Sequence, residues 1–354
     1  MAATAGLRIN AKSGFGSGAI SQFGTSYSYG EGQEVYGSYS VDPDRTLGAR
    51  SLVTLGQRRQ FGNSTKIFTE TQFGKDDIYS GASTVFGVDF SGIEDWLLSA
   101  TLQRSDNENL GLEFERSAAS LGARLERKNF QLSSRVEFRE DTAPGLDQVQ
   151  YLTSNALNWR QSDAQRWQLL ANFSVTEDEV NNERDARFFE VDLGYAYRPT
   201  WNNRLNVLAR YSFLFDLPSE GQATGRVDQQ SHIGAIEALY DLNNKWEFGV
   251  KLAIKEGEQR LTRNDSPWID FGLRLAVIRA RYHLTNRWDG VAEYRWLSDS
   301  AGDGTRSGAL LGIYRHVGRN LKLGVGYNHA GFDDDLRFQD FDNNGWFIDL
   351  IGKY

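Results

Sequence analysis

The chain has 354 residues but no cysteine, one methionine, four histidines and five prolines. Without cysteine there can be no disulfide scaffold, no thiolate metal site and no cysteine nucleophile. The histidines (His232, His283, His316 and His329) are too few and too scattered for a histidine-rich metal cluster. No apolar run approaches the roughly 20 residues that a membrane-spanning helix needs. A net charge of −8 leaves no basic excess for a nucleic-acid groove. The opening MAATAGLRIN lacks both a basic start and an apolar core of about 7–15 residues, so it is not a secretory leader.

Glycine and aromatics are plentiful instead: 36 Gly, nine Trp, 15 Tyr and 21 Phe, far more buriable surface than a disordered chain carries. The dominant pattern is strict alternation, the period of a strand with two chemically different faces. From Lys245 to Glu256, Trp246, Phe248, Val250, Leu252 and Ile254 share one face, while Glu247, Lys251 and Lys255 share the other. The segments around Leu205–Phe215, Trp167–Thr176, Phe189–Arg198 and Leu321–Asn328 repeat the pattern.

Alternation alone also fits a soluble sandwich. Three features point to a membrane. The alternating stretches run for about 10–14 residues, the length of a tilted membrane strand rather than the about 5–6 of a soluble one. Tight links such as Asn243-Asn244, Thr285-Asn286 and Gly318-Arg319 alternate with polar segments expected to be long loops, including 176–185, 217–228, 257–267 and 331–344. An aromatic follows short turn after short turn: Trp96, Phe130, Trp167, Trp246 and Trp288, with Leu205 and Leu321 in equivalent places, as a girdle at a membrane–water interface would require.

Nine hairpins, a weak first strand near Leu7–Lys12 and a last strand Gly345–Tyr354 give an all-β, antiparallel, up-and-down transmembrane β-barrel of about 20 strands, with 18 as the fallback. A single domain over residues 1–354 is expected, residues 1–18 holding the short first strand and a loop. The parity of the apolar residues flips between Val277 and Ile278, where a β-bulge is expected to restore the faces and leave Arg274 on the polar side.

The chain closes on Tyr354 with Trp346, Ile348 and Leu350 in the same parity. That ending resembles the assembly signal of Gram-negative outer-membrane proteins, although Gly352 stands where an apolar residue is common. Segments such as FDLPSEGQ, DLNNKWEFGVKLA, ARYHLTNRWDGVAEYRWLSD and RSGALLGIYRHVGRNLKLGVGYN, with the final NGWFIDLIGKY, resemble the C-terminal barrel region of large modular Gram-negative surface proteins, from about Thr84 onward. The resemblance implies a bacterial outer-membrane location, a longer precursor, and as partners membrane lipids, lipopolysaccharide and the barrel-assembly machinery. A plug or upstream polypeptide in the lumen is a further expected partner, and the charge already excludes nucleic acid.

If the apolar face meets lipid, the other face lines a lumen. Its expected bases are Arg124, Arg135, Arg210, Lys251, Lys255, Arg274, Arg279, Arg281, Arg295 and Lys322, with Glu247 and Glu293 among the acids. Such a wall either braces itself by cross-strand ion pairs or selects anions. Asp340, Asp342 and Asn344 follow the first half of a calcium loop, a low-grade divalent-cation site in the 331–344 loop, but Ile351 stands where the bidentate Glu belongs. No resident cofactor is expected. Ser231 and His232 are adjacent on a strand and point to opposite faces, so no catalytic dyad is expected, nor an enzyme. The expected role is a polar-lined channel, a membrane anchor for a larger surface or periplasmic assembly, or both; a porin or exporter for small hydrophilic or anionic solutes is the alternative and an outer-membrane hydrolase the outsider.

Overall fold

The structure is a computed structural model. It describes residues 2–11, 19–44, 48–76, 79–109, 112–180, 183–218, 227–261, 266–300, 304–318, 321–329, 336 and 345–352. Among these no residue is helical, and twenty strands make one antiparallel sheet. In chain order they are β1 (Ala2–Ala11), β2 (Ala19–Tyr29), β3 (Gln33–Asp44), β4 (Gly48–Phe61), β5 (Thr65–Lys75), β6 (Tyr79–Phe90) and β7 (Trp96–Asn109). β8 (Leu112–Arg127), β9 (Phe130–Ala143), β10 (Leu146–Arg160), β11 (Gln165–Asp178), β12 (Glu183–Tyr197) and β13 (Leu205–Leu217) follow. The last are β14 (Asp228–Asp241), β15 (Trp246–Arg260), β16 (Ile269–Thr285), β17 (Trp288–Asp299), β18 (Gly304–Val317), β19 (Leu321–His329) and β20 (Gly345–Gly352). The chain divides into two compact units, one of Met1–Ala156 with Asn172–Arg187 and one of Leu157–Ala171 with Phe188–Tyr354.

Within the first unit, β1 to β9 form an antiparallel meander in which each strand pairs with the next in sequence. Glycine at positive φ stands in three of its turns, Gly30 and Gly32 between β2 and β3, Gly62 between β4 and β5 and Gly145 between β9 and β10, where a side chain would be strained. The apolar side chains face out: Leu102 and Leu121 are each 62% accessible, whereas Ser105, Asn107 and Ser120 are buried.

The second unit shows the same inversion more sharply. β13 to β20 pair in sequence order. On β15, Trp246, Phe248, Val250, Leu252 and Ile254 are all exposed, while Lys255 is buried. On β17, Trp288, Tyr294 and Trp296 are exposed and Asp289, Glu293 and Arg295 are buried. A water-soluble sheet turns apolar residues inward because their transfer from water is favourable. A strand that buries its ions and offers its indoles outward is built for an apolar surround.

Two sequence expectations are corrected. No bulge separates Val277 from Ile278: the β15–β16 register runs unbroken from Trp246↔Tyr282 to Gln259↔Ile269, and the irregularity in β16 lies between His283 and Thr285, beside the turn. Leu273, Leu275 and Val277 therefore point to the shielded face and pack there with Ile233, Leu297 and Leu336. The second correction concerns the loops. Most of 176–185 and the first four residues of 257–267 are strand, because β11 reaches Asp178, β12 starts at Glu183 and β15 reaches Arg260. Polar composition there reflects strand above an apolar band, with Gln150 donating to Thr176 Oγ1 across the ladder at 3.0 Å. Residues 144–145 join β9 to β10 as tightly as the turns at the other strand ends, and the intervals between strands are longest before β14, β16 and β20, at 218–227, 261–268 and 330–344.

Candidate functional site

The shielded face of β12 to β19 carries the densest array of charge. Its middle is a chain of ion pairs set by cross-strand register. Arg279 on β16 stands opposite Glu293 on β17, and its Nε donates to Glu293 Oε2 at 2.7 Å. The other oxygen of Glu293 accepts from Arg295 Nε at 2.6 Å, so one buried carboxylate holds two guanidiniums. Arg281, two residues on, reaches Glu247 on β15 at 2.9 Å. On β12 and β13, Asp192 accepts from Ser212 and lies 3.5 Å from Arg210. Such pairs hold opposite walls of a ladder in one geometry.

Nearer the short turns a second cluster centres on Asp289, which is 2% exposed. Its two oxygens accept from His283 Nδ1 at 2.7 Å, His316 Nε2 at 2.9 Å and Lys322 Nζ at 2.7 Å, tying β16, β17, β18 and β19 together. Lys322 also lies over the Tyr314 ring at 4.9 Å. This convergence is invisible in the sequence, because the four residues come from four strands and their meeting depends on register. With an ammonium among its partners the carboxylate is satisfied by hydrogen bonds, and among the described residues no cluster of His, Asp and Glu is placed to hold a metal ion.

Lys251 and Lys255 occupy the same face, Lys255 buried and 5.5 Å from the Phe271 ring centroid. Beside them lies the apolar patch of Ile233, Leu273, Leu275, Val277 and Leu297, onto which Leu336 packs. Leu336 belongs to the connection before β20, so that connection sends at least one side chain back over the polar face. Between these groups a groove of about 220 Å³ is lined by Arg210, Glu237, Lys251 and Leu336.

In the first unit the polar face is less crowded. Arg116 makes a bidentate pair with Asp141 at 2.6 and 2.7 Å. Glu137 bridges Arg135 at 2.8 Å and Arg139 at 2.5 Å, and Arg124 meets Glu126 at 3.0 Å, both more than half exposed. Of the residues expected on the polar face, Arg274 alone lies elsewhere. It is exposed on the apolar face opposite Ile254 and Ser298, because β16 keeps its register where a bulge was expected.

The aromatic residues Trp96, Phe130, Trp167, Trp246 and Trp288 all stand at or near the first residue of a strand after a turn, on the apolar face. Trp167 donates its Nε1 hydrogen to Gln161 at 3.0 Å and packs on Tyr195, and Trp246 packs on Tyr282. An indole so placed meets apolar surface with its ring and polar groups with its N–H. On β20, Trp346, Ile348 and Leu350 point to the apolar face and are exposed; Tyr354 lies outside the described residues, as do Asp340, Asp342 and Asn344. Ser231 and His232 do point apart: Ser231 is buried on the polar face and His232 meets Tyr211 Oη at 2.7 Å on the other.

No protein-family model matches the sequence, and no curated protein sequence matches it. Solved structures do. The chain is similar to the copper transporter OprC, with 11% identity over 98% of this chain and 69% of that one, at a TM-score of 0.55. It is also similar to the siderophore receptor PirA from Pseudomonas aeruginosa, with 10% identity, coverage of 99% and 80% and a TM-score of 0.45. A bacterial polysaccharide outer-membrane secretin matches at 11% identity, over 75% of this chain and 89% of that one, with a TM-score of 0.36. At these identities the likeness is one of fold, and the first of them carries it: an all-β, antiparallel, up-and-down barrel of the bacterial outer membrane. The accessible apolar strand face and the charged shielded one agree with that location independently.

Proposed function

We propose that the shielded face lines a water-filled passage and that the chain is an outer-membrane channel for hydrophilic solutes. The observation that carries this reading is the inverted burial of β15 and β17, with Lys255, Asp289, Glu293 and Arg295 shielded and the aromatic residues exposed. Charges retained at such density need water or counter-charges, and they receive both if the face borders a lumen. The wall carries both signs: on this face of the second unit the bases Arg210, Lys251, Lys255, Arg279, Arg281, Arg295, Arg306 and Lys322 stand among the acids Glu190, Asp192, Asp216, Glu237, Asp241, Glu247, Asp289, Glu293, Asp299 and Asp349. Reconstitution into a planar bilayer tests the reading: discrete conductance steps are expected, and a silent membrane containing correctly folded protein overturns it.

A second reading is supported by Leu336. Leu336, in the connection before β20, packs on the polar face and narrows any passage there. In that case the barrel serves as a membrane anchor for a larger surface or periplasmic assembly, and its lumen is filled by its own loop or a partner polypeptide. A folded but non-conducting protein, opened by substitution of Leu336, distinguishes this reading from the first.

A further inference from the structure

Arg274 is the misplaced residue of β16: an exposed cation at the loop-side edge of the tryptophan, isoleucine and leucine face, with Glu256 and Asp270 on the same face one and two rows nearer the loops. Among the described residues it has no ion-pair partner. Its row across the sheet is Gly234, Ile254, Arg274, Ser298 and Thr305. The guanidinium thus has two hydroxyl residues on one side. On the other, beyond Ile254, lies a glycine, which leaves space. The next row toward the short turns is Ile236, Leu252, Ala276 and Trp296, where Ala276 forms a trough between two larger side chains. Pocket geometry marks the same spot, a groove of about 740 Å³ that includes Ile236, Ile254, Arg274, Ala276 and Trp296.

The height of the row fixes its surroundings. Arg274 lies eight residues along β16 from Tyr282, which packs on Trp246 in the aromatic row at the short-turn end. At about 3.4 Å per residue that is roughly 27 Å of strand. With a tilt near 40° it rises about 20 Å, close to the far edge of an apolar band about 25 Å tall. That edge is on the side of the 218–227 and 261–268 connections, the side of longer loops, which in bacterial barrels is extracellular. A cation costs least at such an edge, and its long side chain can reach upward to the headgroup level. The outer leaflet there is built of lipopolysaccharide, whose lipid A carries phosphates above its acyl chains.

We propose that Arg274, with Ser298 and Thr305, binds a lipid A phosphate while an acyl chain lies in the trough over Ala276 beside Trp296. A guanidinium forms paired hydrogen bonds with phosphate oxygens, and hydroxyls complete the shell. The proposal rests on the apolar face meeting lipid; should the protein instead run as a compact monomer without detergent, that premise fails, and the failure is visible before any lipid is added.

The test uses the purified barrel in detergent, with heat-modifiability as the measure of folding. Wild-type protein is titrated with bisphosphorylated lipid A and, separately, with the same lipid enzymatically dephosphorylated. A preference of about fivefold for the phosphorylated form is expected, from a single basic contact near a membrane surface. Arg274→Ala should abolish the preference and Arg274→Lys should keep part of it. Equal binding of the two lipids by the wild type overturns the proposal without recourse to any variant, as does an unchanged preference in a folded Arg274→Ala protein. Displacement of lipid A by inorganic phosphate at similar concentration would identify a free-anion site and likewise overturn the lipid assignment.

Discussion

At the scale of single residues, the shielded face separates ion pairs that matter from those that do not. Glu293 is a buried carboxylate with a guanidinium on each oxygen. Removing its charge takes a shared carboxylate from Arg279 and Arg295 in a shielded place, and breaking such a pair is strongly destabilising. Glu293→Gln is expected to lower stability by on the order of 3 kcal/mol, read from urea unfolding in detergent or vesicles. The Arg124–Glu126 pair has nearly the same length, 3.0 Å, yet both side chains are more than half exposed. Glu126→Gln is expected to cost less than about 1 kcal/mol in the same assay. Asp289→Asn should resemble Glu293→Gln, since it leaves Lys322 beside a neutral amide and puts an NH₂ group among three donors. Equal losses for Glu126→Gln and Glu293→Gln would mean that water reaches both pairs equally.

At the scale of elements, β16 is the strand on which sequence pattern and structure part. Its residues are apolar at both parities from Leu275 to Ile278, so no reading of period can tell which side faces lipid there. The register with β15 decides it, and that depends on long-range pairing the sequence does not display. The absence of native cysteine makes the point testable, because every introduced thiol is unique. A fluorophore on Ala276→Cys should be quenched by brominated lipid, and one on Leu275→Cys should not; the reverse would restore the bulge. Elsewhere alternation was a sufficient guide: β15 and β17 contain no ambiguous residue run, and their faces were legible residue by residue. The ends of β11 and β15 were not, since polar residues continue the ladder above the apolar band and read as loop. The Asp289 cluster was equally hidden. Lys322 is marked as a polar-face base by its own strand, but its convergence with His283, Asp289 and His316 exists only when four strands lie in register.

At the scale of the whole molecule, the fold makes every substitution on the polar face a question about passage. Lys251 lies on the shielded face near Arg210 and Leu336, lining the groove there. If ions pass over it, Lys251→Glu should move the reversal potential toward the cation without changing heat-modifiability, because a fixed charge beside a narrow passage acts on ions more than on folding. Leu336 gives the complementary measurement. Its 6% exposure shows that it is held against Ile233, Leu275 and their neighbours, and burial of one leucine contributes about 1.5–3 kcal/mol, enough to keep a short segment in place. Leu336→Ser removes the apolar side chain that holds this position against Ile233 and Leu275 and should release it from the apolar patch. Single-channel conductance is then expected to rise while the barrel remains folded. An unchanged conductance would mean that the route for solutes bypasses this patch. A rise from zero would mean that the native chain keeps its own passage shut and that anchoring, rather than conduction, is the resting role of the barrel.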